Sequence, residues 1–310
     1  MGSLCPSAIP TVKPSLPKSG VFPALWMPTD DRGVLIESAV RSHARFLHEA
    51  GAHGLMVLGS TGEFVFFSPA ERAELLRKLA DLAAPLPLLA NISDINPSAV
   101  ALLARAARDA GCVSVAILPP WYYPISQADL LEFFLRAAEA ASPLPVFLYN
   151  FPERVGTAIT LETMAAFADR APLAGIKLSA GPWELHREAM VLARERGFSV
   201  LTGWDTRLAD AMALGCSGCI SGLSNFAPEP IVAAFRAMQA GDPAAAVAPT
   251  TRLRELASVL AGLNFPHDVA AGMDARGFET GICKQAMSEE TRRLRAAATA
   301  RLRTLLGTGQ

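Results

Sequence analysis

A chain of 310 residues, 51% hydrophobic and 18% charged, carries ample apolar material for one large domain or two ordinary ones and argues against disorder. Its formal net charge of −1 at pH 7, with no basic tract, speaks against nucleic acid as a partner. No apolar run reaches the length of a membrane span, and the start of the chain lacks the basic and apolar stretches of a secretory signal.

Residues 1–19, rich in proline and serine, are expected to form an N-terminal arm. Met1-Gly2 opens like an acylation site, but Pro6 stands where serine or threonine belongs, so a cytoplasmic protein without a membrane partner is expected. Eight short apolar runs then alternate with helical patterns, at 21–27, 54–58, 86–90, 114–118, 146–149, 173–177, 199–202 and 218–221. Their mostly continuous apolar character suits parallel strands covered on both faces. Helix starts are legible between them. Ser68-Pro69-Ala70-Glu71 offers a capping serine, a first-turn proline and a capping-box glutamate. Asn96-Pro97 and Ser126-Gln127-Ala128-Asp129 begin the next two helices, and Gly181-Pro182 another. Eight such units predict an α/β fold, a (β/α)8 TIM barrel over 20–226. Four helical segments follow, at 228–240, 243–263, 267–276 and 289–306, separated by Gly241-Asp242-Pro243 and Asn264-Phe265-Pro266. Residues 227–310 are thus a C-terminal helical extension that includes the last barrel helix.

Cys5, Cys112, Cys216, Cys219 and Cys283 are an odd, scattered set. Cys216 and Cys219 have redox-motif spacing but lie in an apolar strand and its approach, where packing is the expected role. The five histidines show no ligand spacing, so neither metal nor cofactor is expected.

In a barrel of this kind chemistry sits where the strands end. The second strand runs into Gly59-Ser60-Thr61-Gly62-Glu63, whose amides and hydroxyls could cradle a small carboxylate or make an ordinary turn. All three tyrosines of the chain lie at two strand ends, Tyr122 and Tyr123 after the fourth and Tyr149 at the fifth. That concentration favours proton transfer by phenols over packing. The sixth strand, Leu173-Ala174-Gly175-Ile176-Lys177, carries one of only five lysines. An ammonium with little water around it loses preference for its charged form, which frees an amine able to attack a carbonyl. Taken alone, the same lysine could snorkel to water. Its convergence with phenols, hydroxyls and Arg154 on one rim favours a Schiff-base nucleophile.

These residues resemble the dihydrodipicolinate synthase / N-acetylneuraminate lyase family of class I aldolases over nearly the whole chain. The family's G-[ST]-T-G-E turn matches Gly59-Ser60-Thr61-Gly62-Glu63, its P-x-Y matches Pro120-Trp121-Tyr122, and its Y-N-x-P matches Tyr149-Asn150-Phe151-Pro152. Its G-I-K matches Gly175-Ile176-Lys177 and its G-x-D matches Gly203-Trp204-Asp205. The resemblance implies that Lys177 forms an imine with a 2-oxo acid such as pyruvate, and that Tyr149 is the general acid and base. It implies that Ser60 links Tyr149 to Tyr122, a residue lent by the neighbouring subunit, and that Thr61 with the amides of the Gly59 turn holds the pyruvate carboxylate. Gly203 and Ile220 are implied to line the site with their backbones, and a homo-oligomer, a dimer of dimers, is implied as well. Arg154, two residues after the motif proline, corresponds to an arginine that in the synthases contacts the carboxylate of aspartate semialdehyde. The most specific expectation is therefore 4-hydroxy-tetrahydrodipicolinate synthase, a lyase joining pyruvate to an aldehyde. The alternatives are a 2-keto-3-deoxy-acid or 4-hydroxy-2-oxoglutarate aldolase or dehydratase, and a sensor without catalysis. Departures from the synthases occur at Ser60, at Trp121 and in Asn91-Ile92-Ser93-Asp94-Ile95-Asn96. Phe64, Pro69 and Val100 replace polar residues of lysine-inhibited synthases, so no lysine feedback is expected.

Overall fold

A computed structural model describes residues 17–308. The first sixteen residues of the expected arm, with Cys5, lie outside the described residues.

Strands β1 (Gly20–Pro23), β2 (Leu55–Val57), β3 (Leu88–Asn91) and β4 (Ser114–Ile117) are followed by β5 (Val146–Asn150), β6 (Leu173–Leu178), β7 (Ser199–Thr202) and β8 (Gly218–Ser221). They form one parallel sheet in the order β1-β8-β7-β6-β5-β4-β3-β2. The seam between β1 and β2 is closed by a parallel bridge from Ala24 to Met56 and by the Leu25 N–H, which donates to the Met56 carbonyl at 2.9 Å. The fold is the expected TIM barrel with a helical C-terminal part.

Proline stands at several strand limits. Pro23, which has no N–H to donate, is the last residue of β1; beyond it Ala24 N still donates to the Ser221 carbonyl of β8, while Leu25 N donates to Met56 of β2. The third strand begins at Leu88 and not at 86, because Pro87 cannot donate to a ladder and offers only its carbonyl to Leu55 N. Around the barrel run α1 (Glu37–Glu49), α2 (Pro69–Leu82), α3 (Pro97–Asp109) and α4 (Gln127–Ala141). Ser68, Asn96 and Ser126 cap the last three as expected, with a complete capping box at Ser68 and Glu71. Two helices that the sequence did not announce, α5 (Pro152–Val155) and α6 (Leu161–Ala168), follow β5. Helices α7 (Trp183–Arg196) and α8 (Leu208–Ala213) lead to β8.

Beyond β8 come α9 (Pro228–Gln239), α10 (Val247–Val259), α11 (His267–Ala275) and α12 (Glu289–Leu306). The expected helix at 243–263 is shorter at both ends, and its approach is a turn in which Asp242 accepts from Ala245 N. One apolar core fills the barrel and its helix layer. A second joins Val21 and Trp26 to Phe226, Ile231, Leu253, Met273 and Leu302. Each large side chain buried in this way is worth about 1.5–3 kcal/mol, so the C-terminal helices are bound to the first strand by many such contributions.

Candidate active site

Strand register decides which side chains meet. Val146 of β5 pairs with Leu173 of β6, but Phe147 pairs with Gly175, so Ala174 is an extra residue, a bulge. The shift carries through to Tyr149, which pairs with Lys177; an unbroken register would set Ile176 there. Paired residues of parallel strands share a face, so the bulge brings phenol and amine side by side. Glycine is required at its hinge, because a Cβ on Gly175 would stand 2.3 Å from the Phe147 ring and 2.7 Å from the Ser199 carbonyl.

Lys177 is 5% exposed. Its Nζ lies 4.0 Å from the centroid of the Tyr149 ring and 3.8 Å from the Met56 sulfur. Among the described residues no carboxylate stands within ion-pair distance of it, whereas Lys284 pairs with Glu63 and Lys78 with Glu37. The Tyr149 hydroxyl, on a fully buried ring, is 3.4 Å from the Ser60 hydroxyl. The turn that carries Ser60 leaves β2 at Leu58, whose φ of 54° lies in the left-handed region, and ends at Glu63, also at 54°.

These groups line one cavity of about 310 Å3 at the carboxyl ends of the strands, a size suited to a small ligand. Ser60, Thr61, Tyr149, Lys177, Gly203 and Ile220 all face it. Gly59 belongs to the turn, and a Cβ on it would point toward Met56 and not into the cavity. Arg154 lines an adjoining cavity of about 410 Å3 that shares Ser60 and Phe265 with the first. Its guanidinium lies 5.6 Å from the Phe151 ring centroid and 5.3 Å from that of Phe265. Tyr122 is not brought to the cavity within its own chain. It is 82% exposed at the rim, at φ 86°, edge-on to Tyr123 at 4.9 Å between centroids.

Several lining residues carried no assigned role in the sequence. Asp205 was visible in the G-x-D element; its Oδ2 accepts from Leu223 N at 2.9 Å, while its Oδ1 is buried without a partner. Burial pushes this carboxyl up to about 6, against the Leu223 amide and the Ser221 hydroxyl, which favour its charged form. Phe265 and Asp268 come from the C-terminal part, where only the break at Pro266 was readable. Burial raises the Asp268 carboxyl as well, opposed by its own local amides and by the nearby Arg154 charge. The expected packing role of Cys216 and Cys219 agrees with their burial, which pushes the Cys216 thiol up to about 11.

A buried amine, a phenol and a hydroxyl turn can together add to a carbonyl and move its protons. Comparison with known proteins adds the following. The family model described as the dihydrodipicolinate synthetase family matches residues 17–304. A 4-hydroxy-tetrahydrodipicolinate synthase of Natronomonas pharaonis is 34% identical over 238 residues, 77% of this chain and 78% of that protein. The probable 2-dehydro-3-deoxy-D-pentonate aldolase YjhH of Escherichia coli K12 is 30% identical over 247 residues, 78% and 82% of the two chains. Among solved structures, YagE of Escherichia coli K12, a dihydrodipicolinic acid synthase family protein in complex with pyruvate, superposes with a TM-score of 0.86. It is 27% identical, and the match covers 93% of this chain and 98% of that one.

Proposed function

The chain belongs to the dihydrodipicolinate synthetase family and is a lyase, and from that premise we propose that it acts on pyruvate or a related 2-oxo acid through a Schiff base on Lys177. The observation that carries this is the buried Lys177 amine, set over the Tyr149 ring and free of any carboxylate partner among the described residues. In the proposed reaction the amine attacks the keto carbon, Tyr149 hands a proton to the departing oxygen, and water leaves to give the imine. Thr61 and the amides of the Gly59 turn receive the carboxylate, and Gly203 and Ile220 shape the floor. The imine withdraws electrons from the adjacent methyl group, which loses a proton to Tyr149 and becomes an enamine able to attack an aldehyde. Run backwards, the same steps cleave a 4-hydroxy-2-oxo acid. Ser60 passes the proton onward to Tyr122, which reaches the site from a neighbouring subunit of a homo-oligomer.

Aspartate semialdehyde is the first acceptor on this reading, because Arg154 stands beside the cavity with a guanidinium suited to a second carboxylate. A second reading rests on a different observation. The unpartnered Asp205 oxygen and the Asp268 carboxyl ask for donors, which favours a hydroxylated aldehyde and hence a 2-keto-3-deoxy-acid aldolase.

Borohydride added with pyruvate should fix the pyruvyl group on Lys177, as read by peptide mass analysis, and Lys177→Arg should abolish both labelling and turnover. An unlabelled Lys177 in an active preparation removes the mechanism. Turnover on aspartate semialdehyde but not on 2-keto-3-deoxy acids selects the first acceptor, and the reverse selects the second.

A further inference from the structure

The left-handed backbone at Leu58 and Glu63 is uncommon for residues with a side chain, and it persists only where surroundings enforce it. At Leu58 the enforcing group is Asn91, whose amide donates to the Leu58 carbonyl at 2.8 Å and is itself held by Ser93. At Glu63 the source is remote in sequence. The Glu63 side chain is only 2% exposed. Its Oε1 accepts from the backbone N–H groups of Lys284 at 3.1 Å and Gln285 at 3.3 Å. Its Oε2 accepts from Lys284 Nζ at 3.1 Å, and the same ammonium donates to the Met27 carbonyl at 3.0 Å.

The segment between α11 and α12 that carries Lys284 is stitched to the barrel just upstream. Trp26 Nε1 donates to the Thr280 carbonyl at 2.9 Å, and Ile282 N donates to the Thr29 carbonyl at 2.9 Å. Gly281, at φ 62°, admits no side chain there, since a Cβ would stand 2.2 Å from the Thr29 oxygen. The Glu63 carboxylate thus ties three pieces together: the chain after β1, the turn after β2 and the segment before α12.

We propose that Glu63 and Lys284 are positioning residues, a buried clamp by which the C-terminal part holds the Ser60-Thr61 turn where a 2-oxo acid carboxylate binds and where Ser60 meets Tyr149. This rests on the Schiff-base reading of Lys177. The clamp touches no reacting atom; it sets the place of groups that do. A displacement of about 1 Å in such groups can cost about 100-fold in rate.

The test compares wild type with Glu63→Asp, Lys284→Met and Lys284→Arg by borohydride trapping over a range of pyruvate concentrations, with thermal unfolding of each. Wild type must first label at Lys177; if it does not, the parent reading fails and the clamp with it. Given that labelling, Glu63→Asp keeps the charge but shortens the arm by one methylene, and should raise half-saturating pyruvate at least tenfold while still unfolding cooperatively. Lys284→Met should do the same, and Lys284→Arg should stay within about threefold of wild type. The proposal is overturned if Glu63→Asp and Lys284→Met saturate as wild type does. It is equally overturned if their losses scale with melting temperature alone, or if Lys284→Met fails to fold while Glu63→Asp binds pyruvate normally.

Discussion

At the residue scale, Tyr149 and Asp205 separate the chemistry from its surroundings. Tyr149→Phe removes the hydroxyl 3.4 Å from Ser60 and leaves the ring beneath Lys177 in place. Turnover should fall by about 10²–10⁴-fold, the usual worth of general acid–base catalysis, while melting temperature hardly moves. Steady-state kinetics beside a thermal scan checks both halves. Asp205 gives a pH signature. Its carboxyl is raised from 3.8 to about 6 by burial, so between those values the folded chain keeps a proton that the unfolded chain has released. Stability attributable to this group must therefore fall as pH rises through that window, by up to about 3 kcal/mol, and stay low above it. Asp205→Asn should flatten that part of the curve and be the more stable protein at pH 7, as read by denaturant unfolding from pH 4 to 7. Lys177 and Tyr149, which line the cavity, were legible in the sequence because lysine and tyrosine are scarce in this chain and both residues sit at a strand end. Asp268 was not, since one aspartate after Pro266 looks like any first-turn helix residue.

At the element scale, the bulge between β5 and β6 does what no side chain could, setting Lys177 beside Tyr149 where a regular strand would have set Ile176. Gly175→Ala tests it. The added methyl meets the Phe147 ring and the Ser199 carbonyl, and overpacking of this kind costs about 1–3 kcal/mol. Beyond that loss, imine formation at Lys177 should slow at least tenfold, because relief of the clash moves β6. A variant that loses stability but traps pyruvate at the wild-type rate would contradict the assigned role of the register. All eight strands could be read from apolar runs, but their limits could not. Pro87 delays pairing of β3 through a missing N–H, a local effect the runs overrode. Helices α5 and α6 escaped notice because four and eight residues leave too few turns for a periodic face to show.

At the scale of the whole molecule, the described residues 227–308 do more than cover a barrel. Phe265 and Asp268 line the cavity and Lys284 holds its turn, so we propose that this part completes the catalytic unit of the barrel. The role proposed for Tyr122 requires a second subunit, since its own chain leaves it 82% exposed. If a neighbour lends it, mixing inactive Lys177→Ala and Tyr122→Ala proteins through reversible dissociation should restore about a quarter of wild-type activity. Half the pairs would then be mixed, with one complete site in each. No recovery after proven subunit exchange would place Tyr122 outside the reaction. The clamp also bears on how the protein comes into being. Glu63 leaves the ribosome some 221 residues before Lys284, and synthesis runs at about 5–20 residues per second. For at least ten seconds or so a nascent chain lacks the partner that holds Glu63 in its left-handed conformation. On the proposed clamp, the Ser60-Thr61 turn takes its final place only after Lys284 has been made, which sets the maturation of the cavity late in synthesis.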